Sequence, residues 1–431
     1  MALNESGGAG RHVAVIGAGA VGSASAIEAL RRGWRVTMVE PGAPGGEQAT
    51  SYGNAGWFSS HSVIPPALPG AWRKVPGWLA DPLGPLAVRW RYLPRALPWL
   101  LRYLASGWTE ARVQRTADAL RQLLADSPVL HARLAAEAGV PHLVAQRGLL
   151  HVYRSRAEFE SEALAWRVRA RTGVTWEEWD AARLAAQEPD LDRRYTLGIF
   201  VAEAGHCVDP GAYVAALARH ALAQGARRLQ GRATGLRIEG GRLHAVRTDQ
   251  GEIACDAAVV SAGARSAELA RAAGSPVPLE TERGYHVMVT GGPAAGPRTP
   301  MMAADGKLIV NAMVPGLRAA GQVEIAGLAA APDWRRAEIL RRHLVSMFPA
   351  LADAAPEALA VRQWLGHRPS LPDGLPCIGR AAATPDVVLA FGHGHVGLGG
   401  SARTGKWVAD LLEEGAPPAG LAPFDPARFG R

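Results

Sequence analysis

Cysteine is nearly absent from this chain of 431 residues, which contains only three. Cys207, Cys255 and Cys377 are widely spaced, odd in number and form no CxxC pair. This arrangement excludes a disulfide framework and the common structural zinc sites, and it fits a reducing compartment. His393 and His395 alternate in the sequence, but no third ligand accompanies them, so no metal site is expected.

Lysine is also scarce, because only Lys74, Lys307 and Lys406 stand among the 47 basic residues. The arginines that make up the rest are scattered along the chain. The net charge of +8 therefore does not mark a basic stripe of the kind that nucleic-acid-binding proteins carry. We expect no nucleic-acid partner.

Long apolar runs are missing as well, and no stretch of 18 apolar residues could span a bilayer. The first ten residues, MALNESGGAG, lack the basic start and apolar core of a secretory signal. A hydrophobic content of 48% and a charged content of 20% describe a globular protein, and the length suggests two domains. These features predict a cytoplasmic protein without a membrane span.

The most informative segment that is present runs from His12 to Glu40, with the sequence HVAVIGAGAVGSASAIEALRRGWRVTMVE. It predicts a strand over His12–Ile16, a glycine-rich turn, a helix that ends near Gly33 and a second strand that ends on Glu40. A strand, a helix and a parallel strand joined in this way form the dinucleotide-binding unit of a Rossmann-type sheet. The alternative is a glycine-rich turn with a purely structural role.

Each glycine of the turn has its own physical task. Gly17 makes the tight turn, Gly19 lets a pyrophosphate approach the backbone, and Gly22 permits close packing of helix on strand. The helix start directs free N–H groups at the phosphates. Glu40, 18 residues past Gly22, can accept hydrogen bonds from both ribose hydroxyls and would repel a 2′-phosphate, which disfavours NADP. The motif predicts a dinucleotide but does not separate FAD from NAD.

Residues 61–108 differ in composition from the segments on either side. Six of the thirteen tryptophans fall between Trp57 and Trp108, and Leu97–Trp108 (LPWLLRYLASGW) is apolar and flanked by arginine. One interpretation is a lid or packed loop of a substrate domain. The other is a patch that contacts a membrane surface, since aromatic and arginine side chains suit the headgroup region.

Periodicity and turn residues predict further elements along the chain. These are helices within 109–138, at Glu158–Thr172, at Ala212–Ala223 with Asp209 as N-cap and at Asp333–Phe348, strands at Gly148–Tyr153, at Arg232–Glu239 and Arg242–Thr248 joined across Gly240-Gly241 and at Cys255–Ser261, and a charged surface segment at Thr175–Tyr195.

Two later segments favour FAD over NAD. Ala257–Ser266 (AAVVSAGARS) predicts a buried strand that ends in small residues and brings backbone close to the same nucleotide. Ala390–Leu412 places five glycines directly before an amphipathic helix. The positive end of that helix can stabilise the negative charge that appears on a flavin ring when it is reduced. An NAD-dependent enzyme has no need for this second glycine turn.

These motifs resemble those of a known family. The fingerprint, Thr50–Gly56 (TSYGNAG), Trp364–Gly379 (WLGHRPSLPDGLPCIG) and the following FGHGHVGL look like the FAD-dependent D-amino acid oxidase superfamily. Within it, the chain is most similar to bacterial D-amino acid dehydrogenases of the small-subunit type and to related hydroxyproline dehydrogenases. The similarity runs in order over most of the chain, and the two C-terminal motifs are the specific ones.

The resemblance implies an α/β fold with a Rossmann-type FAD-binding domain built from discontinuous segments and a mixed, mainly antiparallel substrate domain. We expect the FAD domain at about 1–60, 203–275 and 366–431, and the substrate domain at about 61–202 and 276–365. The FAD is expected to be non-covalent, because the usual attachment patterns at Cys377 or a histidine are not evident. The implied FAD contacts are Gly17, Ala18, Gly19, Ala20, Val21, Gly22, Glu40, Thr50, Ser51, Asn54, Ala55, Gly56, Arg232, Ala233, Ala262, Gly263, Gly397, Leu398, Gly399 and Gly400.

Hydride transfer from Cα to the flavin needs little acid–base machinery, but the substrate carboxylate needs a clamp, for which a bidentate arginine is suited. Arg368 in the GHRPSLPD segment is our candidate, and a structural ion pair is the alternative. The resemblance also suggests that Tyr285, His286 and His395 lie near the substrate or flavin. Ordinary strand packing is the alternative for the first two. His61 is a weaker candidate for a residue that lines the flavin ring.

The sequence therefore predicts FAD-dependent oxidation of a D-amino acid to an imine, which water hydrolyses to a 2-oxo acid and ammonia. One alternative substrate is a secondary amine, such as a hydroxyproline or an N-methyl amino acid. Another reading is a flavin subunit without activity of its own. The electron acceptor stays open between a quinone, a carrier protein and O2. Residues 61–108 favour a quinone and peripheral contact with the inner face of the cell membrane.

Overall fold

The computed structural model describes residues 10–430 with the exception of 82, 85, 292, 294, 353–359 and 414. Residues 1–9 of the polar N-terminal segment lie outside the described residues. The strands are β1 (His12–Ile16), β2 (Arg35–Val39), β3 (Trp57–Phe58), β4 (Leu86–Val88), β5 (Val144–Ala145), β6 (Leu149–Tyr153), β7 (Glu177–Trp179), β8 (Leu197–Val201), β9 (Gly205–Cys207), β10 (Arg227–Leu229), β11 (Ala233–Glu239), β12 (Arg242–Thr248), β13 (Gly251–Ala254), β14 (Ala257–Val260), β15 (Glu280–Thr290), β16 (Met301–Ala303), β17 (Leu308–Met313), β18 (Gly316–Ile325), β19 (Ala360–Ser370), β20 (Cys377–Arg380) and β21 (Val387–Phe391).

The α-helices alternate with these strands over most of the chain. They are α1 (Ala20–Arg31), α2 (Val75–Ala80), α3 (Leu93–Ser106), α4 (Glu110–Leu124), α5 (Ser127–Glu137), α6 (Arg156–Glu160), α7 (Ala163–Arg171), α8 (Ala181–Gln187), α9 (Pro210–Ala223), α10 (Ser266–Ala272), α11 (Arg335–Met347) and α12 (Gly397–Leu412).

A six-stranded sheet carries the fingerprint segment at its centre. Its strand order is β10-β2-β1-β14-β21-β20, and all its pairs are parallel except that of β20 with β21. Val13 and Val15 of β1 pack against α1, α9 and α12 on one face, whereas Ala14 and Ile16 pack towards α10 and the β11-β12-β13 sheet on the other. Burial on both faces explains the continuous apolar character of β1 and β14.

A nine-stranded sheet forms the second large layer. Its order is β19-β15-β18-β17-β16-β6-β8-β7, with β4 paired to β18, and only the β16–β6 and β18–β4 pairs are parallel. Helix α11 covers one face, where Leu340 and Leu344 pack against Val287 and Val310. The opposite face of the same strands carries polar side chains that reach the segment at 50–56. The predicted α/β fold class is confirmed by these two sheets, while the domain boundaries stay a prediction.

Several predicted elements are confirmed with small shifts at their ends. Helix α9 begins beside Asp209, whose carboxylate accepts a hydrogen bond from the Ala212 N–H at 2.9 Å. Strands β11 and β12 pair across Gly240 and Gly241, which both adopt positive φ as a two-residue hairpin requires.

Two predictions about elements were wrong in detail. The single helix predicted at Glu158–Thr172 is two helices, because the Ser161 hydroxyl donates to the Glu158 carbonyl at 2.6 Å and helps to end the first one. The charged segment Thr175–Tyr195 is mostly exposed, as predicted, and contains β7 and α8. Helix α12 begins at Gly397, so the last three glycines of the turn lie inside its first turn and do not precede it.

Candidate active site

The fingerprint turn connects β1 to α1 as the sequence predicts. Gly17 has a φ of +101°, and a Cβ on it would lie 2.5 Å from the Ser261 carbonyl oxygen, so only glycine fits there. An ideal Cβ on Gly19 would meet nothing within 4 Å. Gly19 is also the N-cap of α1 and provides no side-chain cap for the first-turn N–H groups. This open helix start has the properties of a phosphate-binding site.

Glu40 follows β2 at the same edge of the sheet. Its Oε2 accepts a hydrogen bond from the Ala18 N–H at 2.9 Å, and its Oε1 accepts one from the Gly42 N–H at 3.1 Å. These bonds fix the carboxylate beside the fingerprint turn. The Glu40 N–H donates to the Leu229 carbonyl at the end of β10, so the chain that continues to Arg232 and Ala233 passes next to Glu40.

The segment Thr50–Gly56 is held by the nine-stranded sheet. Arg318 donates to the carbonyls of Tyr52 and Asn54 at 3.0 and 2.6 Å, and Asn311 donates to the Ala55 carbonyl at 3.1 Å. His286 Nδ1 lies 3.2 Å from the Gly53 carbonyl, and the Thr50 hydroxyl donates to the His367 carbonyl at 2.6 Å. The nine-stranded sheet therefore fixes this segment mainly through backbone carbonyls.

Side chains of α5 hold the first turn of α12 by hydrogen bonds. The Gly399 carbonyl accepts hydrogen bonds from Ser127 Oγ at 2.8 Å and from His131 Nε2 at 3.0 Å. His131 stacks on Phe58 with ring centroids 4.0 Å apart, and burial lowers its pKa to about 4, so the imidazole is neutral. This support positions the N-terminus of α12, where the sequence predicts flavin contacts at Gly397–Gly400.

We call the fingerprint turn, Glu40, Thr50–Gly56 and the start of α12 the cradle. FAD fits the residues that surround it. The Ser51 hydroxyl is buried and has no hydrogen-bond partner among the described residues, as expected of a side chain that serves a ligand. The turn at Ala262-Gly263 follows β14 and lies beside Gly17, through the contact that Gly17 makes with Ser261 and Ala262. The Ala262-Gly263 turn thus lies beside the fingerprint turn, while Thr50–Gly56 is held by the nine-stranded sheet and the start of α12 by α5. Their contacts with FAD stay a prediction.

Arg368 lies on the face of the nine-stranded sheet that looks towards this cradle. It stands directly opposite Glu282 in the β15–β19 register, and its guanidinium covers Gly284. Its Nη1 donates to the Gln322 carbonyl at 3.0 Å. Burial lowers the pKa of Arg368 and the Glu282 carboxylate opposes that shift, so the side chain stays a cation.

Glu282 joins His395 and Ser370 in one hydrogen-bonded group. Its Oε2 accepts from His395 Nε2 at 2.9 Å and from Ser370 Oγ at 2.8 Å. Burial alone would raise the pKa of Glu282, but His395, Ser370 and Arg368 outweigh burial and lower it, so the carboxylate is ionised. The sequence prediction missed Glu282, although a charged residue within a strand of buried side chains was a detectable signal.

The structure does not bring all predicted catalytic residues to this group. Tyr285 lies on the opposite face of β15, where its hydroxyl donates to Glu324 at 2.7 Å and accepts from the Asp333 N–H at 3.0 Å. His286 is on the cradle face, but it is buried, stacks on Trp364 and holds the Gly53 carbonyl. Burial lowers the pKa of His286 to about 3, so it is a neutral support. Arg368 and His395 are the predicted residues that meet around Glu282.

Two further histidine positions have partners of their own. His61 Nε2 lies 2.9 Å from His151 Nε2, and burial lowers the pKa of both imidazoles well below the usual value. His393 is buried, and its Nε2 lies 2.9 Å from the Thr404 hydroxyl, whereas His395 contacts Glu282. Among the described residues, no group of three or more His, Cys, Asp and Glu side chains could hold a metal ion.

Comparisons with known proteins agree with this geometry. A family model described as FAD dependent oxidoreductase matches residues 12–411. The D-amino-acid oxidase of Bradyrhizobium diazoefficiens is 64% identical over 97% of this chain and 99% of its own. The D-amino acid dehydrogenase 2 of Ralstonia nicotianae is 32% identical over 96% of this chain and 100% of its own. The solved structure of L-amino acid deaminase from Proteus vulgaris has the same fold, with a TM-score of 0.74 at 18% identity over 100% of this chain and 99% of that chain.

Proposed function

Because this chain belongs to the family of FAD-dependent oxidoreductases, we propose that it oxidises a D-amino acid to an imine, which water hydrolyses to a 2-oxo acid and ammonia. The observation that carries the substrate class is the 64% identity, over nearly the whole of both chains, to a protein named D-amino-acid oxidase. The site supports it with a half-buried cation, Arg368, and a buried anion, Glu282, at paired strand positions.

The division of work follows from the side chains. When bound, FAD would supply the acceptor for the hydride that leaves the substrate Cα. The α1 start with Gly17, Gly19, Ala20 and Val21 would hold its pyrophosphate, and Glu40 would hold its ribose. Thr50, Ser51 and the backbone of 54–56, together with Ala262-Gly263 and Gly397–Gly400, surround the rest of the cofactor. We propose that this attachment is non-covalent, because burial raises the pKa of the Cys377 thiol to about 12 and keeps it unreactive.

Arg368 binds the substrate carboxylate in this proposal. Only Nη1 of its guanidinium is engaged by a described residue, so the planar fork retains donors for a bidentate contact. A clamp of this kind fixes the substrate backbone and leaves Cα above the cofactor. Removing it by Arg368→Ala should cost about 2–5 kcal/mol of substrate binding.

The experiment that tests the proposed function mixes the oxidised holoenzyme anaerobically with a panel of substrates and follows the visible flavin absorbance. D-amino acids should bleach it, and their L-enantiomers are the matched controls. Bleaching by hydroxyproline or N-methyl amino acids in place of primary D-amino acids would establish the secondary-amine alternative. No bleaching by any member of the panel would favour the flavin subunit without independent activity and overturn the proposal.

Two electron acceptors are supported by different observations. The name of the relative at 64% identity is an oxidase, which favours O2, and the relative at 32% is named a dehydrogenase. The substrate-reduced enzyme should therefore be mixed with oxygenated buffer and, separately, with a soluble quinone. Stoichiometric hydrogen peroxide would establish O2, while slow reaction with O2 and fast reaction with the quinone would establish the quinone.

A tryptophan patch favours the quinone and contact with a lipid surface. We define the patch as Trp72, Trp90, Leu97, Leu101 and Trp108, all of which are exposed. Helix α3 buries Ala96, Trp99 and Tyr103 and presents Leu97 and Leu101 to solvent. Residues 61–109 contain six Arg or Lys and a single acidic residue, Asp81. Exposed aromatics within a basic segment match the region of lipid headgroups.

The patch can be tested by co-sedimentation with anionic liposomes. The double variant Leu97→Glu/Leu101→Glu should lose binding at low salt, because it places two charges in the apolar surface. Val314→Glu is the matched control, since Val314 is an exposed apolar residue outside the patch. Equal sedimentation of the wild type, the double variant and Val314→Glu would overturn the proposed membrane contact. So would a wild type that does not sediment with the liposomes. None of the helices that the structure describes has the length and apolar character to span a bilayer.

A further inference from the structure

Glu282 and Arg368 are an anion and a cation at neighbouring positions of the site. The proposed reaction gives a role to Arg368 but none to Glu282. They stand at paired positions of β15 and β19, on the face that looks towards the cradle. Glu282 accepts a hydrogen bond from His395 Nε2 at 2.9 Å, and Arg368 donates one to the Gln322 carbonyl at 3.0 Å. An anion and a cation therefore lie side by side without closing on each other.

The Glu282 carboxylate is only partly satisfied. Its side chain is 5% exposed, and both of its hydrogen bonds arrive at Oε2. Among the described residues, none donates a hydrogen bond to Oε1. A charge that is mostly buried is costly unless its partners are complete, so Oε1 is open to a cationic donor that enters the site. Arg368 does not fill this place, because its one hydrogen bond to a described residue goes from Nη1 to the Gln322 carbonyl.

We propose that Glu282 binds the α-ammonium group of the substrate while Arg368 binds its carboxylate. This inference rests on the proposed function and names the residue that recognises the amine. An α-amino acid is a zwitterion whose two charges are adjacent, and the Glu282–Arg368 pair presents the complementary charges on adjacent strands. Hydrogen bonds from His395 and Ser370 orient the carboxylate through its Oε2 and leave Oε1 for the ligand.

Recognition at both charges has a consequence for specificity. A ligand held only by its carboxylate can rotate about that contact, whereas a ligand held at carboxylate and ammonium has a fixed Cα. The orientation of the Cα–H bond and of the side chain is then decided by the fold. A 2-hydroxy acid of the same shape would leave the Glu282 charge unpaired, so the enzyme selects amino acids against hydroxy acids.

The test measures binding without turnover. The two ligands are 2-aminoisobutyrate, a zwitterion, and 2-hydroxyisobutyrate, its hydroxyl analogue, and neither has a Cα–H bond that could be oxidised. Titration into the oxidised holoenzyme is followed by the flavin spectrum and by calorimetry. The wild type should prefer the zwitterion. Glu282→Gln should weaken the zwitterion roughly 10- to 100-fold and leave the hydroxy acid unchanged or tighter.

Three further variants make the result specific. Arg368→Lys should weaken both ligands, because both carry the carboxylate. His395→Asn should leave the preference for the zwitterion, which separates recognition by Glu282 from a role in orienting His395. If Glu282→Gln fails to retain flavin, Glu282→Asp is the substitute variant. It should reduce the preference for the zwitterion without reversing it, since the negative charge stays but lies farther from the ligand.

The outcomes separate this inference from the proposed function. A wild type without preference for the zwitterion overturns the inference, as does a Glu282→Gln enzyme that weakens both ligands equally or neither. The same is true if His395→Asn abolishes the preference as fully as Glu282→Gln. A preserved preference together with failure of every D-amino acid to bleach the flavin would leave the inference standing and remove the proposed reaction.

Discussion

Two uncharged neighbours determine where the Arg368 guanidinium lies. Gly284 leaves the space above β15 that the guanidinium fills, and the Gln322 carbonyl receives its Nη1. Gln322 adopts a φ of +61° at a bulge between β15 and β18, a conformation that costs energy for a residue with a side chain. Its side-chain oxygen accepts from Arg336 Nη1 at 2.9 Å. The strained bulge thus connects the proposed clamp to the buried interior of the sheet.

Gly284→Ala should displace the clamp without unfolding the protein. The new Cβ would lie 2.5 Å from Arg368 Nη1, and the end of a long side chain can move away at low cost. We expect kcat/KM for the substrate to fall about 10- to 100-fold, since small misplacements of a positioning group have effects of this size. The melting temperature should change little. Steady-state kinetics and thermal unfolding measure the two quantities.

The control for this variant is Gly235→Ala. Gly235 is also a strand glycine, but a Cβ there would be 3.8 Å from its nearest neighbour, an Arg247 methylene carbon, so ordinary contact results. Its kinetics should match the wild type. A Gly284→Ala enzyme with unchanged kcat/KM would show that the guanidinium does not need its position over β15.

Helices α1 and α12 form the element pair on which the cradle depends. One begins at the fingerprint turn and the other at the proposed flavin turn, and they cross at Gly405. A Cβ on Gly405 would lie 2.8 Å from the backbone carbonyl carbon of Ala24. Backbone cannot yield as a side chain does, so the close crossing depends on the absence of a side chain at this position.

Gly405→Ala should therefore destabilise the fold by about 1–3 kcal/mol, which is the usual cost of overpacking a core. Chemical denaturation measures the free energy of unfolding, and flavin retention should fall with it because both helix starts move. Gly77→Ala in α2 is the matched control, since a Cβ there meets nothing within 4 Å. It should be neutral or gain up to about 1 kcal/mol from helix propensity. Equal stability of the two variants would contradict the close crossing.

At the scale of the whole molecule, the interior contains several neutral histidines. Burial lowers the pKa of His131 and His206 to about 4 and that of His286 and His393 to about 3. In the unfolded chain the same imidazoles have a pKa near 6.5. Between these values the unfolded chain binds protons that the folded chain does not, so acid favours unfolding.

The free energy of unfolding should contain the full contribution of these neutral imidazoles above about pH 6.5. It should fall steeply as the pH drops from there towards 4. His131 alone corresponds to about 3 kcal/mol over this window, at about 1.36 kcal/mol for each pKa unit. Urea unfolding at a series of pH values measures the slope. His131→Gln should flatten part of it, because an amide does not titrate. A free energy of unfolding independent of pH in this window would contradict the neutral interior.

How far the sequence predicted the molecule depends on whether a feature is local. The β1–α1–β2 unit, the Asp209 cap and the β11–β12 hairpin depend on neighbours within a few residues, and all were predicted correctly. The candidate site stays a prediction. Arg368 and His395, nominated through motifs, lie close to Glu282, whereas Tyr285 lies on the opposite face of β15, because strand alternation does not reveal which face meets the cradle.

The sequence by itself determined the dinucleotide fingerprint, since this depends on glycine spacing and hydrophobic periodicity. The family and the α/β fold class followed from the resemblance of the motifs to those of a known family. Only the tertiary structure decided which charges meet. Glu282 lies 113 positions from His395 and 88 from Ser370, and the pairing of β15 with β19 brings Arg368 opposite it. Such contacts are set by strand register across the sheet, because one residue of slip would turn each side chain to the other face.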